Sequence, residues 1–305
     1  MQGTVFIKKV FICSYLLMTG IINQAASQEP YEWWNKKHNW DGYTHWSNYI
    51  IYSPGYMGPN ALPVPRLADG ILSARITLEP EATIHIQSGE FVSGGGLRFF
   101  YPIAEGIAGL EFSHVMVEYY KTDTLIRDER FARSEQVEGF ATGDVNLATY
   151  LTLVKNRCWP DMALRINLRT ASGSKLSNAR FTNSPGYFFD LSFGKNMTKK
   201  SEQPKPVIRM YGTLGFYVWQ TNLENNRQND AFLTGLGTRL NFSLHAFSAE
   251  AAGYFGYMKM RDDPVVVRFI YELTGKNNGL RFQYQKGVYS IYHHSVSLSW
   301  VIFFG

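Results

Sequence analysis

From Tyr289 to Phe304 the side chains alternate between two chemistries. Tyr292, His294, Val296, Leu298, Trp300, Ile302 and Phe304 share one parity; His293, Ser295, Ser297, Ser299 and Val301 share the other. A strand turns successive side chains to opposite faces, so this stretch predicts a ribbon with one apolar, aromatic face and one hydroxyl-lined face. A chain ending this way needs an apolar medium on one side of its sheet and a polar one on the other.

The pattern repeats. Between residues 71 and 304 about twelve alternating segments are separated by turn signals, a number within the range of membrane barrels. Met162, Leu164, Ile166 and Leu168 oppose Arg165, Asn167 and Arg169; Val265, Val267, Phe269, Tyr271 and Leu273 oppose Arg268 and Glu272. The segment 107–120 fits least well, because His114 and Glu118 fall on the parity of Leu110, Phe112 and Met116. Short turns, such as Glu105-Gly106 and 275–279, interleave with longer polar connections at 121–143, 172–186, 221–230 and 260–264. Short turns on one side and long loops on the other are the mark of an outer-membrane barrel, and an even strand count puts both termini in the periplasm. The expected fold is therefore all-β, a transmembrane antiparallel up-and-down β-barrel of about 12 strands. A large soluble β-sandwich is the alternative; mid-strand arginines opposite uniformly apolar faces argue against it.

Export follows from residues 1–27. Lys8 and Lys9 precede an apolar core, Val10 to Ile22, and Ala25-Ala26-Ser27 offers small residues for cleavage. At roughly thirteen residues the core is too short to span a bilayer. Cleavage leaves Cys158 as the sole cysteine, so no internal disulfide is expected. It also removes two lysines from 30 Lys+Arg against 25 Asp+Glu, leaving a net charge of +3, too small to argue for nucleic acid.

Residues 28–69 lack two-residue periodicity. They hold Trp33, Trp34, Trp40 and Trp46, four of the seven tryptophans, together with Pro54, Pro59, Pro63 and Pro65. This predicts an irregular plug in the barrel mouth or lumen, or a cap beside it, with one short helix near 31–39; disordered tails are poor in aromatics. The barrel is expected over 70–305.

Collected over the strands, the polar face carries Arg75, Arg98, Arg165, Arg169, Arg209, Arg239, Arg268 and Arg281, with Asp190, Glu250 and Glu272 among its acids. In a barrel these line the lumen, since charges on the lipid face cost roughly 2–4 kcal/mol near the midplane. Two readings stand side by side: an Arg–carboxylate network that fills a closed barrel, and a narrow passage biased toward anionic or polar-headed solutes.

Other constellations carry less. His293 and Ser295 adjoin on one face, but a nucleophile needs its base, an orienting group and access, so a lipid-acting enzyme is only a distant alternative and no catalytic residue is expected. Gly94-Gly95-Gly96 lacks the strand-to-helix setting of a phosphate loop and reads as a flexible loop. His38, His45, His85, His114 and His245 lack metal-ligand spacing, and no metal or other cofactor is expected. Arg127, Asp128, Arg130 and Arg133 form a charged cluster in the loop 121–143.

The run Gly143-Asp144-Val145-Asn146, then Leu153-Val154-Lys155, Pro160-Asp161 and 164–173, continues to Ala179-Arg180 and 185–190. This pattern resembles outer-membrane proteins grouped with the meta-pathway phenol-degradation family, in its Bacteroidetes-type versions. The resemblance covers residues 143–195 and implies an outer-membrane barrel of about twelve strands; passage of hydrophobic or aromatic compounds is inferred for some members. The expectation is a monomeric outer-membrane channel, its partners membrane lipids and a small, hydrophobic or amphipathic solute. A closed structural barrel is the main alternative.

Overall fold

The computed structural model describes residues 31–155, 158–198 and 206–304; the expected signal peptide lies outside them. Among the described residues, thirteen strands form one antiparallel sheet. They are β1 (Ile76–Gln87), β2 (Glu90–Ala104), β3 (Ala108–Thr122), β4 (Glu138–Ala141), β5 (Val145–Val154), β6 (Asp161–Arg169), β7 (Gly186–Asn196), β8 (Val207–Gln220), β9 (Gln228–Phe242), β10 (His245–Phe255), β11 (Val265–Thr274), β12 (Asn278–Tyr289) and β13 (His294–Phe304). Pairing of β1 with β13 closes the sheet into a barrel of twelve strands, with β4 an additional short strand beside the upper half of β3.

Alternation is the organising force. Phe269, Leu280, Phe282, Leu298 and Trp300 point outward and are about half exposed, whereas Arg268, Arg281, Gln283, Ser297 and Ser299 share the inward parity. An all-round apolar exterior on a closed sheet is the surface a bilayer solvates.

The difficult segment 107–120 is explained by a β-bulge. Pairing steps from Gly96↔Val115 to Gly95↔Val117, leaving Met116 unopposed. One extra residue reverses the parity, so Glu111 and Ser113 face inward below the bulge while Glu118 and Tyr120 do so above it. Gly94-Gly95-Gly96 is therefore not a flexible loop but lies inside β2, and at Gly94 the strands approach too closely for a side chain: a Cβ there would lie 2.5 Å from the Val117 carbonyl oxygen.

The last strand is shorter than its alternation. Tyr289 ends β12, and Ser290, at φ 57°, turns the chain before β13 begins at His294. Ile291 donates its N–H to the Tyr289 carbonyl at 2.7 Å, closing this turn.

Ile76 and Phe304 pair at the end of the barrel that carries the short turns. The described chain does not begin there. Residues 31–49 lie at the opposite, long-loop end, and residues 50–70 descend through the interior to reach β1. The expectation that both termini share the periplasmic end therefore does not hold for the described chain. Two buried clusters bind this strap to the wall. Ile50, Tyr52, Met57 and Ala61 pack with Val92, Tyr120 and Phe181. Leu62 and Val64 pack with Tyr217, Trp219, Leu233, Tyr254 and Val266.

Candidate functional site: the barrel lumen

The strap's four prolines lack N–H groups and favour extended backbone, so its free carbonyls need donors from elsewhere. The wall supplies them in descending order. Trp219 Nε1 donates to the Tyr52 carbonyl at 2.8 Å, and the Tyr254 hydroxyl donates to that of Leu62 at 2.7 Å. Arg169 donates to Ala61 at 2.6 Å, Arg268 to Val64 and Pro65 at 2.6 and 3.0 Å, and Arg165 to Arg66 at 3.0 Å. Arg209 donates to Asp69 at 2.7 Å near the short-turn end. A guanidinium presents five donors in a rigid fork, and so serves a carbonyl and a carboxylate together.

The same arginines are neutralised along the wall. Arg165 donates to Asp190 at 2.8 Å and Arg209 to Asp161 at 2.9 Å. Arg268 lies 3.6 Å from Glu250. Arg281 joins Glu79 at 2.6 Å and Glu272 at 2.8 Å, and Arg239 pairs with the other oxygen of Glu272. Arg66 of the strap enters this mesh through Glu79, at 2.9 Å, and through Glu81. Arg75 stands apart from it at the short-turn rim, its guanidinium 4.0 Å over the Phe303 ring.

A second cluster closes the long-loop end. Glu90 accepts from both terminal nitrogens of Arg130 at 2.7 and 2.6 Å, from Arg180 at 2.5 Å, and lies 2.8 Å from His293 Nε2. Arg180 also donates to Glu118 at 2.8 Å, and Asn60 of the strap donates to the second oxygen of Glu118 at 2.7 Å. Glu118 and Arg180 are fully buried. Arg66, Glu90, Glu118, Arg130 and Arg180 were not among the residues expected to line the interior. Glu118 was hidden by the bulge, and the others lie in the strap, at a strand end or in loops, where no parity marks an inward direction.

His293 and Ser295 do not work as a pair. Ser295 Oγ bonds His85 Nδ1 at 2.7 Å while His293 engages Glu90. His85 Nε2 is buried and has no hydrogen-bond partner among the described residues, so no carboxylate continues a Ser–His relay.

Two spaces flank the strap. A cavity of about 250 Å³ lies mid-barrel against Asn146, Asn167, Gln283, Gln285, Ser295 and Ser297. A vestibule of about 750 Å³ lies at the short-turn end around Tyr150, Asn196, Arg209, Arg239, Asn241 and Arg281. Glu79, Arg98 and Glu111 line both. Arg98 and Glu111 are 3.7 Å apart, an ion pair without a tight hydrogen bond.

Above the barrel, helix α1 (Glu32–Lys37) docks on helix α2 (Thr124–Glu129) and the residues after it. Trp34 Nε1 donates to the Phe131 carbonyl at 3.1 Å and Lys37 pairs with Asp128 at 3.0 Å. Arg127 covers Trp33 at 4.0 Å, and Arg133 lies 3.9 Å over Tyr31 and within 6.0 Å of Trp34, Trp40 and Trp46. The charged cluster of the loop thus holds the aromatic segment by cation–π contacts.

No protein-family model matches the sequence. No curated protein is similar to it. Solved structures are similar in fold. A COG4313 outer membrane channel from Pseudomonas putida F1 superposes with a TM-score of 0.55 at 12% identity, covering 80% of this chain and 100% of that one. The KdgM porin gives 0.46 at 11% identity, covering 74% and 99%. The CymD monoaromatic hydrocarbon channel gives 0.38 at 8% identity, covering 76% and 89%. The chain has the closed barrel fold of outer-membrane proteins.

Proposed function

We propose that this protein is an outer-membrane channel for small amphipathic molecules, closed in its resting state by its own N-terminal segment. In this reading residues 1–27 direct export, residues 28–69 are the plug and residues 70–305 are the barrel, with the long loops outside the cell. The observation that carries it is the pair of adjoining spaces beside the strap, which share Glu79, Arg98 and Glu111 in their linings. They lead from the periplasmic end to mid-barrel and are stopped above by the strap, whose Ile50, Met57 and Ala61 pack on Val92, Tyr120 and Phe181 and whose Asn60 binds Glu118 of the Glu90–Arg130–Arg180–Glu118 cluster. A lumen packed only for stability needs no such path.

The lining argues for the solute class. The wall arginines are engaged by carboxylates and strap carbonyls, which weakens the case for an anion-selective path. Amides and hydroxyls at Asn146, Asn167, Gln283, Gln285, Ser295 and Ser297 favour a molecule with hydrogen-bonding groups. The aromatic cluster at the outer mouth favours an apolar portion. A solute with both, such as a small aromatic alcohol, suits the two better than a pure hydrocarbon. The resemblance to the phenol-degradation family agrees with this class.

The test is uptake by proteoliposomes of radiolabelled benzyl alcohol analogues, aromatic acids and an alkane, with empty liposomes as reference. Faster entry of the amphipathic solutes supports the reading, and equal rates with and without protein defeat it. The second reading, a structural barrel sealed by its ion mesh, is favoured by the continuity of the Glu79–Arg66–Arg281–Glu272–Arg239 network. It predicts no uptake of any solute.

A further inference from the structure

Lys286 stands on the outward, lipid-facing side of β12, opposite Val267 of β11 and His294 of β13. Its ammonium donates to the Tyr292 carbonyl at 3.3 Å and lies 2.6 Å from His294 Nε2; His294 Nδ1 in turn lies 2.8 Å from the Tyr284 hydroxyl. Among the described residues no carboxylate pairs with it. The contrast on the same side of the wall is Lys121, which is neutralised by Glu138 at 3.3 Å. An unpaired charge on the lipid face is unfavourable by about 2–4 kcal/mol at the midplane and about 0–1 kcal/mol near the interface. Lys286 lies close to the Tyr289 end of β12, at the long-loop rim, where an anion of the bilayer can reach it.

One recess opens at this lysine, and a second begins beside Tyr284 and runs toward the short-turn end. A pocket of about 380 Å³ at the rim is lined by Arg130, Arg261, Lys286, Tyr292 and His294. Arg130 is tied to Glu90 and Arg261 to Glu129, which leaves Lys286 as the ammonium that still lacks a counter-ion there. Below it, a trough of about 490 Å³ runs along the outer wall, floored by Ala249 and Thr238 and walled by Phe247, Phe269, Phe282 and Tyr284. Tyr284 belongs both to the trough and to the hydrogen-bonded chain that ends at Lys286.

We infer that this is a binding site for lipid A, the phosphorylated glycolipid of the outer leaflet. One phosphate sits against Lys286 and His294, and one acyl chain lies in the trough. The height of Lys286, near the Tyr289 end of β12, selects the outer leaflet for the phosphate. The lone ammonium selects a phosphate. The small floor between aromatic walls selects an alkyl chain. The inference rests on the outer-membrane reading but not on passage through the lumen.

The test uses the full chain purified in detergent, with heat-modifiable migration confirming that each variant is folded. Retention of purified lipopolysaccharide, of the same material with its phosphates removed, and of phosphatidylglycerol is measured side by side. The site predicts retention of intact lipopolysaccharide, weakened about tenfold by Lys286→Gln or by dephosphorylation and preserved by Lys286→Arg. Ala249→Trp, which fills the trough without changing a charge, weakens it too. Equal retention by wild type and Lys286→Gln overturns the inference, and so does phosphatidylglycerol retained as well as lipopolysaccharide. Loss of channel activity leaves this outcome untouched, so the two proposals fail separately.

Discussion

Arg268, near the middle of the β11 wall, donates a 2.6 Å hydrogen bond to the backbone carbonyl of Val64, a residue 204 positions earlier in the chain. A second bond, to Pro65 at 3.0 Å, uses the other terminal nitrogen. Hydrogen bonds from charged donors are worth about 1.5–3 kcal/mol each, so this side chain is a principal anchor of the strap. Arg268→Met is expected to loosen residues 60–70 while the barrel, whose strands pair without it, stays folded. Protease cleavage within the strap, in protein that still shows heat-modifiable migration, checks this; unchanged cleavage contradicts it.

Arg180 bridges Glu90 and Glu118 in a cluster where all three side chains are buried. Removing one partner of a buried ion pair strands the other's charge, at a cost of about 3–5 kcal/mol. Arg180→Met is expected to lower the temperature at which the barrel unfolds in gel-migration assays, and Arg180→Met combined with Glu118→Gln to recover part of the loss. No shift in either variant contradicts the role given to the cluster.

Gly94→Val places a side chain against the Val117 carbonyl at the bulge. Backbone there has no room to yield without moving β3, and Glu118 with it. Assembly into the membrane is expected to fall, whereas Gly42→Val, in an exposed turn with open space around its Cβ position, should cost only the strain of its positive φ. Membrane fractionation of the two variants distinguishes them.

Docking of α1 is expected to weaken with acid in two steps. His38 packs against the rings of Trp34 and Phe131, at 5.2 and 4.7 Å. Burial lowers its pKa; Asp128 opposes the shift, and Lys37 and Arg127 reinforce it. A released His38 takes up a proton near its ordinary value of about 6.5 that the docked one refuses, so docking weakens as pH falls through that value. At Asp128, partial burial raises the pKa, but hydrogen bonds from Lys37 and Arg127 outweigh it and hold the carboxyl below the usual range. Its stabilising share is complete above about 4 and disappears as pH falls through the lower docked value. Tryptophan fluorescence between pH 8 and pH 3 reports both steps, and a flat profile contradicts them.

The barrel was legible because it is a property of parity. Each strand has to separate lipid from lumen, so Arg165, Arg169, Arg268 and Arg281 declared their direction by spacing alone. Parity failed where a bulge inserted Met116, which turned Glu118 inward against its apparent face. It also overran the strand end at Tyr289, because the alternation of Tyr292 and His294 continues through a turn fixed by the backbone of Ser290. The path of residues 50–70 had no periodic signal, because the strap is held by its carbonyls and every residue has one. Pro54, Pro59, Pro63 and Pro65 were its visible trace. Their meaning depends on donors such as Arg268 and Trp219, which lie far away in sequence.

The central claim is that the chain's own N-terminal segment closes a passage. Single-channel recording in planar bilayers of the intact protein and of a variant lacking residues 31–68 tests it most directly. The account predicts little or no conductance from the intact protein and stable open steps from the shortened, correctly folded barrel. A folded barrel that remains silent after the segment is removed would contradict it.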